Sequence, residues 1–191
     1  MTTVKHLTTQ ELQAGLDLVR QAPKDAGVLQ LIVRRPQTEQ REPLQEGELD
    51  LTQGLVGDTW ISRFNRHTPD GSPDPKAQLT IMNSRATNLV AQYRERWPLA
   101  GDQLYIDMDL GVENVPPWTK IQIGSAVVEV TDQPHTGCQK FVSRFGVDAM
   151  KFVNSPVGTQ PHLRGINAKV VQPGVIHVGD VATIIQRGGT W

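Results

Sequence analysis

The single cysteine, Cys138, stands in the stretch PHTGCQKFVSRFG, Pro134 to Gly146, among groups able to change a thiol's chemistry. His135 lies three residues before it, Lys140 two after and Arg144 six after. The thiolate is the reactive and metal-binding form of cysteine, and nearby cations or a helix N-terminus favour it. Pro134 and Gly137 break regular structure upstream and a helix is expected downstream, so Cys138 would sit near the positive end of a helix dipole. That setting suits a nucleophile or a soft-metal ligand. The plainer alternative is a small buried hydrophobe, the commonest fate of a lone cysteine. His135 could act as a base or orient the site, since histidine titrates near neutrality. It could equally face solvent before a turn.

The whole chain narrows the choice. Its 191 residues suit one sizeable domain able to bury a core without disulfides. Nineteen basic and twenty acidic residues leave a net charge of -1, which gives no footprint for nucleic acid or a charged membrane surface. One cysteine excludes a disulfide framework and a cysteine-rich zinc or iron–sulfur site. A zinc site built on His135 and Cys138 would need His67, His162 or His177, and no spacing groups them. No apolar run reaches the length of a signal or membrane-spanning segment, so a cytoplasmic protein is expected. P-loop, GxGxxG and GxSxG patterns are all absent.

The elements that must position these groups read as mainly β, with seventeen glycines and thirteen prolines marking frequent turns. Thr8 and Glu11 form a capping-box pattern for a helix to Arg20, closed by Pro23. Val28 to Val33 reads as a strand, Gln37 to Glu48 as an exposed loop, and Trp60 to Phe64 as another short strand. His67 to Lys76, with three prolines, reads as a surface loop rather than a pocket rim. Gln78 to Met82 is a strand, and Ser84 is placed as the N-cap of a helix reaching Arg96. Leu104 to Met108 follows as a strand. A hairpin pairs Ile121–Ile123 with Ala126–Val130 across Gly124 and Ser125. One or two short helices are expected between Phe141 and Val153. Strands at Leu163–Val171, Val175–Val178 and Val181–Ile185 complete a closed or nearly closed barrel. Asp58 and Asp180, each after a glycine, suit turn hydrogen bonding.

Several signatures fall in order: GLVGD from Gly54, GDQLYIDMDL from Gly101, IQIGSAVVEVT from Ile121, PHTGCQKF from Pro134, LRG from Leu163 and VVQPGVIHVGD from Val170. Together they resemble a MOSC domain, the module named after the C-terminal part of molybdenum cofactor sulfurase. The resemblance implies a MOSC-type β-barrel with a few peripheral α-helices over residues 45–186. Residues 1–44 would then be an N-terminal helix and strand packed on the barrel, and 187–191 a tail. It places Cys138 at the family's cysteine, which either ligates the molybdenum of the cofactor or carries sulfur as a persulfide. The chain departs from the family at Gly137, where proline often precedes the cysteine, and at Thr59 and Trp60, where histidine often follows the early Gly-Asp.

What the resemblance implies chemically is a molybdenum cofactor, or molybdopterin, bound through the Cys138 thiolate. Reduction of an N-hydroxylated small molecule is the enzymatic precedent, with an external electron donor. The alternative is a non-enzymatic sulfur carrier loaded by a pyridoxal phosphate-dependent cysteine desulfurase. A pterin with a phosphate needs cations and donors, for which Arg85, Lys140, Arg144 and Arg164 are candidates, Arg164 as the centre of LRG. Asn154 is a candidate neutral donor near the cysteine loop, and His135 joins Cys138 as a candidate catalytic group.

Overall fold

Period-two alternation closes seven strands into a barrel in the computed structural model, which describes residues 4–65 and 68–189. The strands are β1 (Ala26–Arg34), β2 (Glu42–Leu44), β3 (Glu46–Asp50), β4 (Gly54–Leu55), β5 (Leu79–Asn83) and β6 (Leu104–Asp107). They continue as β7 (Lys120–Ile123), β8 (Ala126–Val130), β9 (Ile166–Gln172), β10 (Gly174–His177) and β11 (Val181–Gln186). Around the ring the order is β1, β11, β7, β8, β9, β5, β6 and back to β1, antiparallel throughout except for the parallel pair β5–β6. β2 extends β1 beyond the ring, and β10, β3 and β4 form a small second sheet. The fold is thus mainly β, a closed barrel with a few helices outside it.

Alternation sorts two cores. Ile32, Ile81, Leu104 and Ile106 point into the barrel, whereas their neighbours Val33, Met82 and Tyr105 point outward under the helices. That outer layer holds α1 (Thr9–Ala14), α2 (Leu16–Arg20), α3 (Ser84–Ala91), α4 (Gln139–Phe145), α5 (Val147–Val153) and α6 (Pro156–Thr159). Leu12, Leu16 and Val19 bury the face that their helical spacing predicts. Phe141 and Phe145, four residues apart on α4, pack with ring centroids 4.8 Å apart and planes tilted by 59°, and anchor that helix to the barrel wall. Among the described residues no helix is long and apolar enough to cross a membrane.

Several expected elements take another form. β1 is a stave of the barrel, so residue 45 does not divide an extension from the barrel. The first helix breaks at Gly15, where a Cβ would stand 2.3 Å from Leu89 Cδ1, because α2 packs closely on α3. The helix expected to run from Ser84 to Arg96 stops at Ala91, and its N-cap is Asn83, whose Oδ1 accepts from the amides of Arg85 and Ala86. A 3-10 helix, Arg94–Ala100, replaces its last turns and carries Pro98 inside it. Trp60 lies in a 3-10 turn, Thr59–Ser62, rather than a strand, because the Asp58 carboxylate caps it by accepting from the Trp60 amide at 2.9 Å. The loop of residues 37–48 contains β2 and the start of β3.

Candidate functional site

Cys138 is exposed and is the N-cap residue of α4. The buried-hydrophobe alternative therefore does not hold. The loop before it is fixed by Asn154 at the end of α5. Asn154 Oδ1 accepts from the Gly137 amide at 2.8 Å, while its Nδ2 donates to the Gly137 carbonyl at 3.0 Å. A proline at 137 would have no N–H for this clamp. A Cβ there would also crowd Val153 Cγ2 at 3.1 Å. Glycine at 137 and asparagine at 154 are thus one structural device, and the amide of Asn154 is spent on backbone rather than on the site.

Cys138 opens on a cavity of about 1100 Å³. Among the described residues lining it, Arg35, Arg41, Arg63, Lys140, Arg144 and Arg164 are cationic, against only Glu39 and Asp74. His135, Lys140, Arg144 and Arg164 line it with the cysteine, as their sequence placement suggests. Arg85 does not. Its guanidinium pairs with Asp107 at 2.6 Å in a separate groove between α2 and α3. Pro73 and Asp74 line the cavity, so part of the proline-rich loop forms its rim; His67 lies outside the described residues.

The arginines are held by a short carbonyl ladder. The 3-10 helix ends at Gly101, whose φ of +91° suits glycine. Its last carbonyls are free to accept, and three consecutive ones each take a guanidinium. Leu99 O accepts from Arg144 Nη1 at 2.9 Å, Ala100 O from Arg164 Nη2 at 3.1 Å, and Gly101 O from Arg35 Nη1 at 2.9 Å. Two buried carboxylates complete the support. Asp58 takes Arg35 Nε and Nη2 at 2.7 Å each, and Asp102 takes Arg164 Nη1 at 2.7 Å. Arg164 also lies over the Phe141 ring, 5.1 Å from its centroid.

His135 sits at the floor. Burial, reinforced by Arg164, Arg35 and His162, holds its pKa well below the usual histidine range, so the ring is neutral at pH 7. Its Nδ1 stands 3.5 Å from Asp102 Oδ1. Burial raises the Asp102 carboxyl above its ordinary value, and the Arg164 charge opposes that shift. Three buried donor or acceptor atoms at the site make no hydrogen bond among the described residues: His135 Nδ1, Arg164 Nε and Arg41 Nε. Such atoms are costly to leave unpaired, and all three belong to side chains that line the cavity.

Arg35, Arg41, Arg63 and Asp102 were not legible as site residues. Arg35 ends the apolar run of β1, and Asp102 follows Gly101 in a motif that reads as a turn, so the only local signals are a charge closing a buried strand and a Gly-Asp pair.

The barrel has solved counterparts. YiiM from Escherichia coli superposes with a TM-score of 0.56 at 18% identity, covering 85% of this chain and 71% of that one. YiiM from Geobacillus stearothermophilus gives 0.57 at 16%, covering 85% and 76%. The YUAD protein from Bacillus subtilis gives 0.56 at 12%, covering 83% and 96%. At these identities the likeness is one of fold. No curated protein matches the sequence. The MOSC domain matches residues 58–183. That span is well over half the chain, so the protein is a member of the MOSC domain family, whose association is with molybdenum-cofactor binding.

Proposed function

We propose that the cavity binds a molybdenum cofactor, with the Cys138 thiolate as the protein's ligand to the metal. The observation that carries this reading is the meeting, in one cavity, of an exposed thiol and six cations with unpaired buried Nε atoms at Arg41 and Arg164. A thiolate is the soft ligand molybdenum takes, and guanidinium forks suit phosphate and pterin oxygens. When bound, the group supplies two-electron redox chemistry suited to removing oxygen from an N-hydroxylated small molecule, with electrons from an external donor.

The chain's own residues then have defined tasks. Arg144 and Arg164, held by the Leu99 and Ala100 carbonyls, offset negative charge on the ligand. Asn154 keeps the cysteine loop in place through Gly137. His135 stays neutral, with its Nδ1 3.5 Å from Asp102 Oδ1 and able to turn to the ligand as donor or acceptor. The exposure of Cys138 supports a second reading, a sulfur carrier whose thiol a cysteine desulfurase partner could reach.

The test is metal and pterin analysis of protein made in a host that synthesises the cofactor, wild type beside Cys138→Ser. An exposed cysteine can be replaced with little effect on folding. Molybdenum and pterin near one per chain in wild type, with molybdenum at least tenfold lower in the variant, is the expected result. Wild type free of molybdenum but trapping a persulfide on Cys138 would replace the first reading with the second.

A further inference from the structure

The loop between β1 and β2 carries Glu39 at φ +65°, a left-handed conformation that non-glycine residues seldom adopt. Its carboxylate is held by two cations of α4. Glu39 Oε1 accepts from Lys140 Nζ at 3.0 Å, and Oε2 accepts from Arg144 Nη2 at 2.6 Å. All three side chains line the cavity. Those two donors lower the Glu39 pKa to about 2, so it is ionised at physiological pH.

The cationic set around this carboxylate is larger than one charge can satisfy. Arg144 Nη1 and Arg41 Nη2 converge on Gly101, 3.6 and 3.7 Å from where a Cβ would stand. Arg41 makes no ion pair among the described residues; Nη1 donates to the Gln40 carbonyl and Nε to nothing. Burial and the charges of Arg144 and Arg35 push the Arg41 guanidinium pKa below its ordinary value. Glu39 itself is 58% exposed and reaches in from a strained loop. One exposed monoanion therefore faces Arg41, Lys140 and Arg144, a set whose charge and fork geometry suit a doubly charged oxyanion.

We propose that Glu39 is an internal competitor, its carboxylate holding a seat for a dianionic, phosphate-class group. Entry of the ligand displaces Glu39 from Lys140 and Arg144 and releases the 37–41 loop from α4. The inference rests on the ligand-binding reading of the cavity given above and adds its regulation. A seat closed most of the time weakens apparent affinity by the fraction open. Two exposed bridges on one carboxylate correspond to a closed fraction that costs about five- to tenfold.

The experiment is calorimetric titration of the full chain with inorganic phosphate at low ionic strength, for wild type, Glu39→Gln and Asp74→Asn. Asp74→Asn removes an equal charge from the cavity lining but touches neither Lys140 nor Arg144. Glu39→Gln is expected to bind phosphate about five- to tenfold more tightly than wild type, and Asp74→Asn within about twofold of it. Amide exchange in residues 37–41 should rise on adding phosphate to wild type and should already be raised in Glu39→Gln. Equal gains in both variants would mean a general field effect and overturn the proposal, as would phosphate binding by none of them. Cofactor analysis reads separately. Phosphate results as expected without molybdenum would sink the cofactor reading and leave the gate standing, while bound cofactor with equal phosphate affinities would do the reverse.

Discussion

Replacing Asp58 by asparagine should destabilise the fold by an amount set by one buried charge. The Asp58 side chain is fully buried and that of Arg35 is 7% exposed. The carboxylate accepts from Arg35 Nε, Arg35 Nη2, the Arg35 amide and the Trp60 amide, all within 3.0 Å. Asparagine keeps the shape and one acceptor oxygen but leaves the guanidinium buried without its counter-charge. Breaking a buried pair from one side costs about 3–5 kcal/mol, most of it for the uncompensated ion. Arg35→Met in the same background removes that ion, so the double variant should recover about 2 kcal/mol or more relative to the sum of the single losses. Urea unfolding of wild type, both single variants and the double variant gives the four free energies. An Asp58→Asn loss below about 1 kcal/mol, or strict additivity, would mean that the pair is solvated and that Asp58 is only a turn cap.

Two further outcomes follow from named geometry. The His135 pKa lies well below 6.5 in the fold, while an unfolded histidine protonates as pH falls through about 6.5; stability should therefore drop below that pH, by at most about 1.4 kcal/mol per pH unit for this group. His162, also lowered by burial, adds to the slope in the same direction. His135→Asn should flatten the urea midpoint between pH 7.5 and 5 by one group's share, and an unchanged slope would contradict a buried neutral ring. Gly165→Ala should cost at least about 3 kcal/mol, read as a fall in Tm, because φ is +96° and a Cβ would meet the Ile81 carbonyl oxygen at 2.3 Å. A small change there would show that β9 can move away from β5.

What could be read in advance was whatever depends on neighbours in the chain. The Thr8–Glu11 box is present with both of its hydrogen bonds, the Gly124–Ser125 hairpin pairs Ile123 with Ala126, and alternation along β5 and β6 places Ile81 and Leu104 inside. Cys138, His135, Lys140, Arg144 and Arg164 were selected by motif and do share one cavity. Arg85 was selected by residue type alone, and Asp107 holds it elsewhere. Arg41 and Arg63 had no local signal, because their meeting with Arg144 and Arg164 depends on barrel closure across most of the chain. The early end of α3 was likewise hidden. Gln92 adopts φ +67° so that Trp97 can turn back, where its Nε1 donates to Asn88 Oδ1 at 3.2 Å.

The 3-10 helix after that turn helps so many cations to coexist on a chain whose net charge is only -1. Like charges crowded in a cavity repel, and burial strengthens the repulsion. The fold answers with acceptors of its own. Asp58 and Asp102 are planted behind Arg35 and Arg164, and the end of the 3-10 helix offers carbonyls at Leu99, Ala100 and Gly101. The C-terminal end of a helix carries the negative pole of its peptide dipoles, so these oxygens suit guanidinium. Asp58 and Asp102 are fully buried, whereas Ala100 and Gly101 line the cavity themselves, and among the described lining residues the anionic side chains are Glu39 and Asp74. The guanidiniums are thus oriented by the fold's own acceptors, in the cavity that Cys138 also lines. On the proposed reading, a ligand carrying several negative oxygens would add the counter-charge that two anionic lining side chains leave short against six cations.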